Sequence, residues 1–533
     1  MAARPIRQIG GWAFAVLRVD LLRSRAELAQ WRLQEPQRPL HFVPTMGALH
    51  GGHASLVRRA AEPRAAGSPR VLLSVFVNPL QFGPSEDFAR YPRTLELDAE
   101  RAAAAGAHAL FAPSVEEIYP GGEAQITRVQ PPTSLQAALC ARSRPGHFDG
   151  VATVVCRLLA LVRPARALFG EKDWQQLLIL RRVVSDLGVP VVIEGCATQR
   201  EADGLARSSR NRYLDPEARG RASALPIALA EAAASLRAGT DGAATLAACR
   251  SRLLAADLAV DYLELVQAHT LAALPRLEGL TLLAAAVHCG PARLIDHILL
   301  MSRPPIVAID GPAGAGKSTV TRAFAHRLGL VYLDTGAMYR ALTWWVQRQG
   351  VDPADAAAVA PLLEGLDLRL SGAAEGQVVT INGHDVSEAI RSPEVTALVS
   401  TVAAHPCVRE ALTQQQQAMG RSGGLVAEGR DIGTAVFPNA DCKVFLTATV
   451  AERARRQSED LRQRGFDVPP LAELEAQIAE RDRLDSSRAL APLLQAEDAV
   501  ELVTDGMEVA AVIQALVDLF RARVPQEAWP DPA

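Results

Sequence analysis

Residues 306–319 read Ile-Val-Ala-Ile-Asp-Gly-Pro-Ala-Gly-Ala-Gly-Lys-Ser-Thr. Four β-prone residues lead through Asp310 into the phosphate-loop pattern G-x-x-x-x-G-K-[ST], which runs from Gly311 to Ser318. Glycines at such positions (Gly311, Gly314, Gly316) let backbone N–H groups curl around phosphate oxygens where a Cβ would obstruct them. Lys317 is expected to reach the β- and γ-phosphates and Ser318 to hold Mg2+. The helix that follows, with Thr319 in its first turn, points its positive end at the anion. A glycine-rich turn can meet the pattern by chance; the strand before it and the helical run 319–328 after it supply the required context. A strand carrying this loop normally opens a domain, yet here it lies past the middle of 533 residues. A large separate unit must precede it.

Length alone suggests two to four domains. A formal charge of −3 gives no footprint for nucleic acid or a membrane surface. The seven cysteines are odd in number, scattered, and form no C-x-x-C pair. That pattern points away from a disulfide framework or zinc site and toward a reducing cytoplasm. No apolar run approaches a membrane span. Arg4 and Arg7 before 9–17 imitate a secretory signal, but Arg18, Asp20 and Arg23 follow at once without a cleavage site, so 1–15 reads as a short extension. The run Gln414 to Gln417 reads as the wet face of a helix.

From about residue 40, β-rich runs (40–43, 71–77, 108–111, 167–169, 189–193) alternate with helical ones (55–61, 94–105, 151–162, 174–187). Such alternation predicts a parallel sheet covered on both faces, with ligands at the carboxyl ends of its strands. The first of these strands runs into Pro44-Thr45-Met46-Gly47-Ala48-Leu49-His50-Gly51-Gly52-His53. Two histidines three apart share one helical face, and at a helix N-terminus they can donate hydrogen bonds to a triphosphate. The same spacing suits a purely structural pair, and a metal site needs a third ligand. Four further stretches stand after strands or before helices: 76–82 running on to Glu86-Asp87-Phe88 and Tyr91-Pro92-Arg93; 144–151 (RPGHFDGV); 170–177 (GEKDWQQL); and 200–211 (READGLARSSRN). Any one could be a polar loop capping a strand.

Taken together and in this order, they resemble the pantothenate synthetases (pantoate–β-alanine ligases) over about residues 16–300. The resemblance implies an α/β fold, a Rossmann-like nucleotidyltransferase domain at 16–198 with a small α+β lid subdomain at 199–300. It implies ATP- and Mg2+-dependent joining of pantoate to β-alanine through a pantoyl-adenylate. Carried over by motif, Met46, Gly47, Ala48, Leu49, His50, Gly51, Gly52 and His53 face ATP. His50, His53 and Lys172 are then catalytic, with His53 as proton donor. Gly170, Glu171, Lys172, Asp173, Gln199, Arg207, Ser208, Ser209 and Arg210 complete the ATP site. Gln81 and Gln176 hold pantoate, and Gln81 also lies near β-alanine. Position 80 is Leu where Met or Thr is usual, and Arg207 stands where an apolar residue is usual, adding positive charge beside the nucleotide. The family is usually dimeric, so a homodimer through this half is implied. Strands are expected at 261–266, 281–287 and 293–295, and a proline-stiffened linker at 301–305.

The second half continues from the phosphate loop through 333–340 (LDTGAMYR) to a small β insert at 368–390 with an Asn382-Gly383 turn. It carries Glu428-Gly429-Arg430-Asp431-Ile432-Gly433-Thr434 and a charged cluster at 480–488. A charged cluster is usually a solvated face. Five motif arginines (340, 409, 430, 481, 488) instead suit a place where two polyphosphates are neutralised together. The set resembles bacterial cytidylate kinases over about residues 304–525, which implies a P-loop nucleoside monophosphate kinase domain at 301–533. By that resemblance Arg340, Arg430 and Arg488 grip the CMP phosphate. Ser400, Arg409 and Asp431 read the cytosine, and Arg481 with Asp485 lies at the ribose and phosphate side. The reaction implied is γ-phosphoryl transfer from ATP to CMP or dCMP.

The sequence therefore reads as two cytoplasmic enzymes in series, with ATP, Mg2+ and small-molecule substrates (pantoate, β-alanine, CMP, dCMP) and neither nucleic acid nor membrane as partner. One alternative is that one half is a degenerate nucleotide-binding scaffold. Another is a regulatory phosphate-loop switch, against which the arginine-rich acceptor motifs argue, because a switch needs no monophosphate site.

Overall fold

The computed structural model describes residues 19–532 except 65, 66, 84, 85, 87, 372–377, 464, 466 and 489. The expected extension 1–15, and Asp87 of the second motif, lie outside them. Two compact units are formed. One comprises the chain up to residue 231 with 248–264 and 284–297; the other comprises 232–247, 265–283 and 298 onward.

The first unit holds a six-stranded, all-parallel sheet of β1 (Asp20–Leu22), β2 (Leu40–Thr45), β3 (Arg70–Val75), β4 (Ala109–Phe111), β5 (Arg166–Gly170) and β6 (Val192–Cys196). Their spatial order is β1-β4-β3-β2-β5-β6. The chain steps outward from β2 to β3 and β4, then resumes on the other flank of β2 with β5. The order therefore reverses between β2 and β5, and the crevice outside their carboxyl ends is where a doubly wound sheet binds ligands. Two elements depart from expectation. β1 and the helix Arg25–Leu33 precede what was read as the first strand. A three-residue strand is too short to register as alternation, although Ser24 and Glu27 do form a capping box. The last strand begins at Val192 rather than 189, because Pro190 cannot donate to a ladder.

Three strands, β7 (Ala259–Gln267), β8 (Leu280–Cys289) and β9 (Ala292–Met301), pair in that order. Met301 ends β9, so the connection to the phosphate-loop strand is only 302–305. It is not a free linker. Pro305 O accepts the Gly424 N–H at 3.0 Å, Arg303 pairs with Asp441 at 2.7 Å, and a Cβ on Gly423 would stand 2.1 Å from Pro304 O.

The second unit is built on a five-stranded parallel sheet of β10 (Ile306–Asp310), β11 (Val331–Asp334), β15 (Leu425–Gly429), β16 (Cys442–Thr447) and β17 (Val500–Val503), ordered β11-β15-β10-β16-β17. Alternate residues of β10 point to opposite faces. Ile306 and Ala308 join Leu425, Ala427 and the helix Thr335–Arg348 in one core. Val307 and Ile309 join Val426 and the helices Lys317–Arg327 and Val509–Arg523 in the other. Between β11 and β15 the chain inserts the antiparallel β12 (Leu368–Ser371), β13 (Val378–Ile381) and β14 (His384–Asp385). Asn382 (φ 47°) and Gly383 (φ 80°) make the expected two-residue hairpin. The polar run 414–417 is not simply a wet face: Gln416, on the helix Pro406–Met419, is 1% exposed.

Candidate active sites

In the first unit the segment leaving β2 is held in an uncommon shape. Gly47 and Ala48 both have positive φ (86° and 51°). For Ala48 that conformation is costly and must be imposed by its surroundings. Asp98, 1% exposed, supplies the restraint: its carboxylate accepts the N–H of Ala48 at 3.0 Å and of Leu49 at 2.7 Å. The helix Gly51–Ala61 then starts with His50 as its cap. His50 Nδ1 accepts the Gly52 N–H at 3.2 Å, His53 Nδ1 accepts the His50 N–H at 3.3 Å, and the rings lie 4.0 Å apart. A nitrogen that accepts carries no proton, so each neutral ring keeps its hydrogen on Nε2. Burial, His53, Lys172, Arg212 and Arg207 depress the His50 pKa to about 2. Burial, partly opposed by Asp173, brings His53 to about 4. Both are neutral Nε2–H donors at pH 7.

Across the switch point, β5 ends at Gly170 and a short turn carries Glu171–Asp173. Glu171 is buried; Lys172 is half-buried, with no hydrogen-bond or ion-pair partner among the described residues. Gln175 and Gln176 behave oppositely. Gln175 is consumed structurally, its Nε2 donating to Leu135 O and Ala138 O at 2.9 Å. Gln176 is half-buried with its amide unpaired among the described residues. Gln81 donates from Nε2 to Met46 Sδ at 3.1 Å and accepts from Asn78, while its backbone carbonyl accepts from Arg144. Leu80 acts through its backbone there: a Cβ on Gly150 would stand 2.2 Å from Leu80 O.

The remaining ATP-motif residues arrive from beyond β6. The Gln199 carbonyl accepts the Arg207 N–H at 2.9 Å. Ser208 Oγ accepts the Arg210 N–H, and Ser209 Oγ lies 3.2 Å from Tyr91 OH. The unusual Arg207 lies on the helix start: a Cβ at Gly51 would meet its guanidinium at 2.6 Å. A cation at a helix N-terminus is unfavourable until an anion joins it. Sequence reasoning missed Asp98 and Arg212, and it gave His147 no role within its motif. Arg212 donates to Leu49 O at 3.3 Å, and His147 Nδ1 lies 2.7 Å from Gln81 O. Arg212 carried a signal in standing two residues past a recognised motif residue; Asp98 carried none.

In the second unit, Gly311 (φ 150°) lets the loop pass Leu446 O, where a Cβ would come within 2.0 Å. Lys317 is 5% exposed and its Nζ donates to Gly311 O and Pro312 O at 2.7 and 2.8 Å. Burial, reinforced by Arg430, lowers its pKa. Ser318 Oγ donates to Glu428 at 2.8 Å, and Tyr332 donates to the other Glu428 oxygen at 2.7 Å. Asp310 accepts the N–H groups of Ile432 and Gly433 at 2.8 and 2.7 Å, fixing the turn after β15, and burial raises its pKa to about 6.

That turn brings the predicted arginines together. Arg340 pairs with Asp334 at 2.9 Å, Arg409 with Asp431 at 2.9 Å, and Arg430 with Asp485 at 3.0 Å; Arg488 also contacts Asp485. Burial and then Arg430 and Arg340 lower the Arg481 pKa; burial, Arg409 and Arg430 bring Arg488 to about 10. Such mutual repulsion is relieved by a bound anion. Ser400 is half-buried, without a partner among the described residues. Arg453, which the motifs did not indicate, pairs with Asp482 at 2.5 Å and donates to Ala313 O of the loop. Glu428 was likewise quoted within a motif without a role.

The family model for pantoate-beta-alanine ligase matches residues 20–299, and that for cytidylate kinase matches 307–522. A bifunctional pantoate ligase/cytidylate kinase of Parasynechococcus marenigrum is 63% identical over 514 residues, 96% of this chain and 100% of its own. Its namesake in Prochlorococcus marinus is 62% identical over 503 residues, 94% and 99% of the two chains. A crystal structure of pantothenate synthetase from Thermus thermophilus is 48% identical and covers 52% of this chain and 99% of its own, with a TM-score of 0.49.

Proposed function

The chain belongs to the bifunctional pantoate ligase/cytidylate kinase family, and from that premise we propose how its residues divide two ATP-dependent reactions. It is a pantoate–β-alanine ligase and a cytidylate kinase on one polypeptide. A degenerate half finds no support, since relatives named for both activities match across 96% of the chain. The proposed domains are 16–198 and 199–300 for the ligase and 301–533 for the kinase.

In the ligase, His50 and His53 donate Nε2–H bonds to the β- and γ-phosphates of ATP, joined by Lys172, Ser208, Ser209 and Arg210. Gln81 and Gln176 hold pantoate with its carboxylate toward the α-phosphorus. Attack there gives pantoyl-adenylate and diphosphate, and the β-alanine amine then displaces AMP to give pantothenate. Donors held in place before charge develops stabilise the transition state without reorganising. The observation that carries this reading is the reciprocal Nδ1 capping of the histidines, which leaves two neutral donors at one helix start. His53 becomes a proton donor only once bound phosphates raise its depressed pKa.

In the kinase, Lys317 leaves its loop carbonyls for the γ-phosphate, while Arg340, Arg430, Arg481 and Arg488 neutralise the acceptor phosphate of CMP or dCMP. Ser400, Arg409 and Asp431 read the base. Ser318 Oγ and the Glu428 carboxylate, 2.8 Å apart, are hard oxygen donors of the kind that Mg2+ takes. Mg2+ bound there would neutralise charge on the β- and γ-oxygens. No helix among the described residues is long and apolar enough to cross a membrane. The proposed location is the cytoplasm and the proposed assembly a homodimer through the ligase half, checked by light scattering.

The deciding experiment assays both reactions on the full chain and two variants. Lys317→Ala should abolish CMP phosphorylation and spare pantothenate formation, and His53→Ala should do the reverse. Each removes a phosphate donor worth about 3 kcal/mol. Equal loss of both activities in either variant would overturn the division of labour.

A further inference from the structure

At the end of the first sheet remote from its catalytic loops lies a cavity of about 500 Å3. It is bounded by the helix Arg25–Leu33, the end of the helix His147–Val162, and the first residues of β2 and β3. Its volume falls within the ~300–1,000 Å3 usual for small-molecule pockets. Leu28, Leu40 and Leu161 give it apolar walls. Around them stand Arg32, Arg38, Arg70 and Arg163.

Arg38 is satisfied, donating to Glu35, Ser68 O and Pro69 O, but Arg32, Arg70 and Arg163 are incompletely paired. The one carboxylate in the lining, Glu35, is taken by Arg38 at 3.0 Å. Arg70 is 4% exposed, stacked 3.5 Å over the buried Trp31 ring and donating to Trp31 O at 2.9 Å. Its Nε has no hydrogen-bond partner, with Glu35 no nearer than 3.6 Å. The side chains of Arg32, half-buried, and Arg163, exposed, have neither hydrogen bond nor ion pair among the described residues. They sense each other: burial and then the Arg163 charge lower the Arg32 pKa. The buried member of the set is Arg70. A buried guanidinium without a full set of acceptors is costly.

We propose that this cavity is a second, non-catalytic ligand site for a phosphate monoester with an apolar body. Several guanidinium groups facing one space suit a dianion, which planar forks bind in pairs of parallel hydrogen bonds. The leucine walls bind the rest. The site lies at the amino ends of β2 and β3, whereas substrates of a doubly wound sheet gather at the carboxyl ends. It is therefore separate from the ligase active site, although its floor strands lead to the segments carrying His50 and Gln81.

The test is calorimetric titration of phenyl phosphate into the full-length protein, with both nucleotide sites saturated by Mg2+, a non-hydrolysable ATP analogue, pantoate and CMP. One binding event per chain is expected, at least tenfold weaker in Arg32→Gln/Arg163→Gln. That variant removes two side chains without partners among the described residues, so both enzyme activities should persist and report that it is folded. Inorganic phosphate should bind the wild type at least tenfold more weakly than phenyl phosphate. Absent binding, or equal affinity in the variant, would overturn the site. Equal affinity for the two phosphates would overturn the apolar body.

Discussion

The Asp98 carboxylate accepts the backbone N–H of Leu49 at 2.7 Å, and through it the helix Leu95–Ala105 sets the position of the paired histidines. The second Asp98 oxygen takes the Ala48 N–H, so one side chain satisfies two N–H donors in a loop with positive φ. Asp98→Ala would leave both unpaired, at about 1–3 kcal/mol each where burial is complete. Its effect should appear as misplaced phosphate donors: a ligase kcat/KM lower by about ten- to a hundredfold, with the kinase rate unchanged. Asp98→Asn, which keeps one acceptor, should lie between. A ligase indifferent to both substitutions would remove the positioning role.

Asp98 also marks the limit of what the sequence discloses. The phosphate loop and the histidine motif are legible because each is contiguous and backbone-driven. The groups that hold them are not. Asp98 acts across 49 and 50 residues, Glu428 reaches Ser318 across 110, and Asp310 fixes Ile432 across 122. A lone acidic residue in a helix or at a strand end has no local pattern to betray such a partner. Gln416 illustrates the reverse error, since a polar run can be buried when tertiary packing closes over it. Alternation did disclose the first sheet, because strands buried on both faces leave long apolar runs.

Acid should destabilise the ligase half through its histidines. His53 falls to about 4 and His147 to about 4, in each case chiefly by burial, from an ordinary value near 6.5. Between those values the unfolded chain binds protons that the folded one does not. Stability is therefore fully present above pH 6.5 and is lost as pH falls toward 4, by up to about 1.4 kcal/mol per pH unit for each such group. Denaturant unfolding of the full chain at several pH values should show that loss. His53→Gln should flatten it by up to one proton's worth.

Metal dependence should single out Glu428 in the kinase. Glu428→Gln keeps an acceptor for Ser318 or Tyr332 but removes the anionic oxygen proposed to face Mg2+. The Mg2+ concentration for half-maximal CMP phosphorylation should rise about tenfold or more, with kcat reduced and pantothenate formation unaltered. An unchanged Mg2+ requirement would show that the metal is held elsewhere.

The choice of phosphorus in the ligase follows from where its donors stand. ATP can activate a carboxylate at the γ-phosphorus, releasing ADP, or at the α-phosphorus, releasing diphosphate. His50, His53 and Arg207 gather at the start of one helix, and Lys172 is close enough to depress both histidines. A concentration of donors on one side suits a leaving group that gains negative charge, and in the proposed orientation of ATP these donors clasp the diphosphate. Gln81 and Gln176, neutral amides, are proposed to face the α-phosphorus with pantoate between. Carboxylate-labelled 18O-pantoate should therefore deliver one labelled oxygen to AMP. The full chain carrying Lys317→Ala is the sample of choice, because its silenced kinase cannot interconvert the nucleotides. Label in inorganic phosphate, with ADP as co-product, would reverse the orientation of ATP proposed for the site.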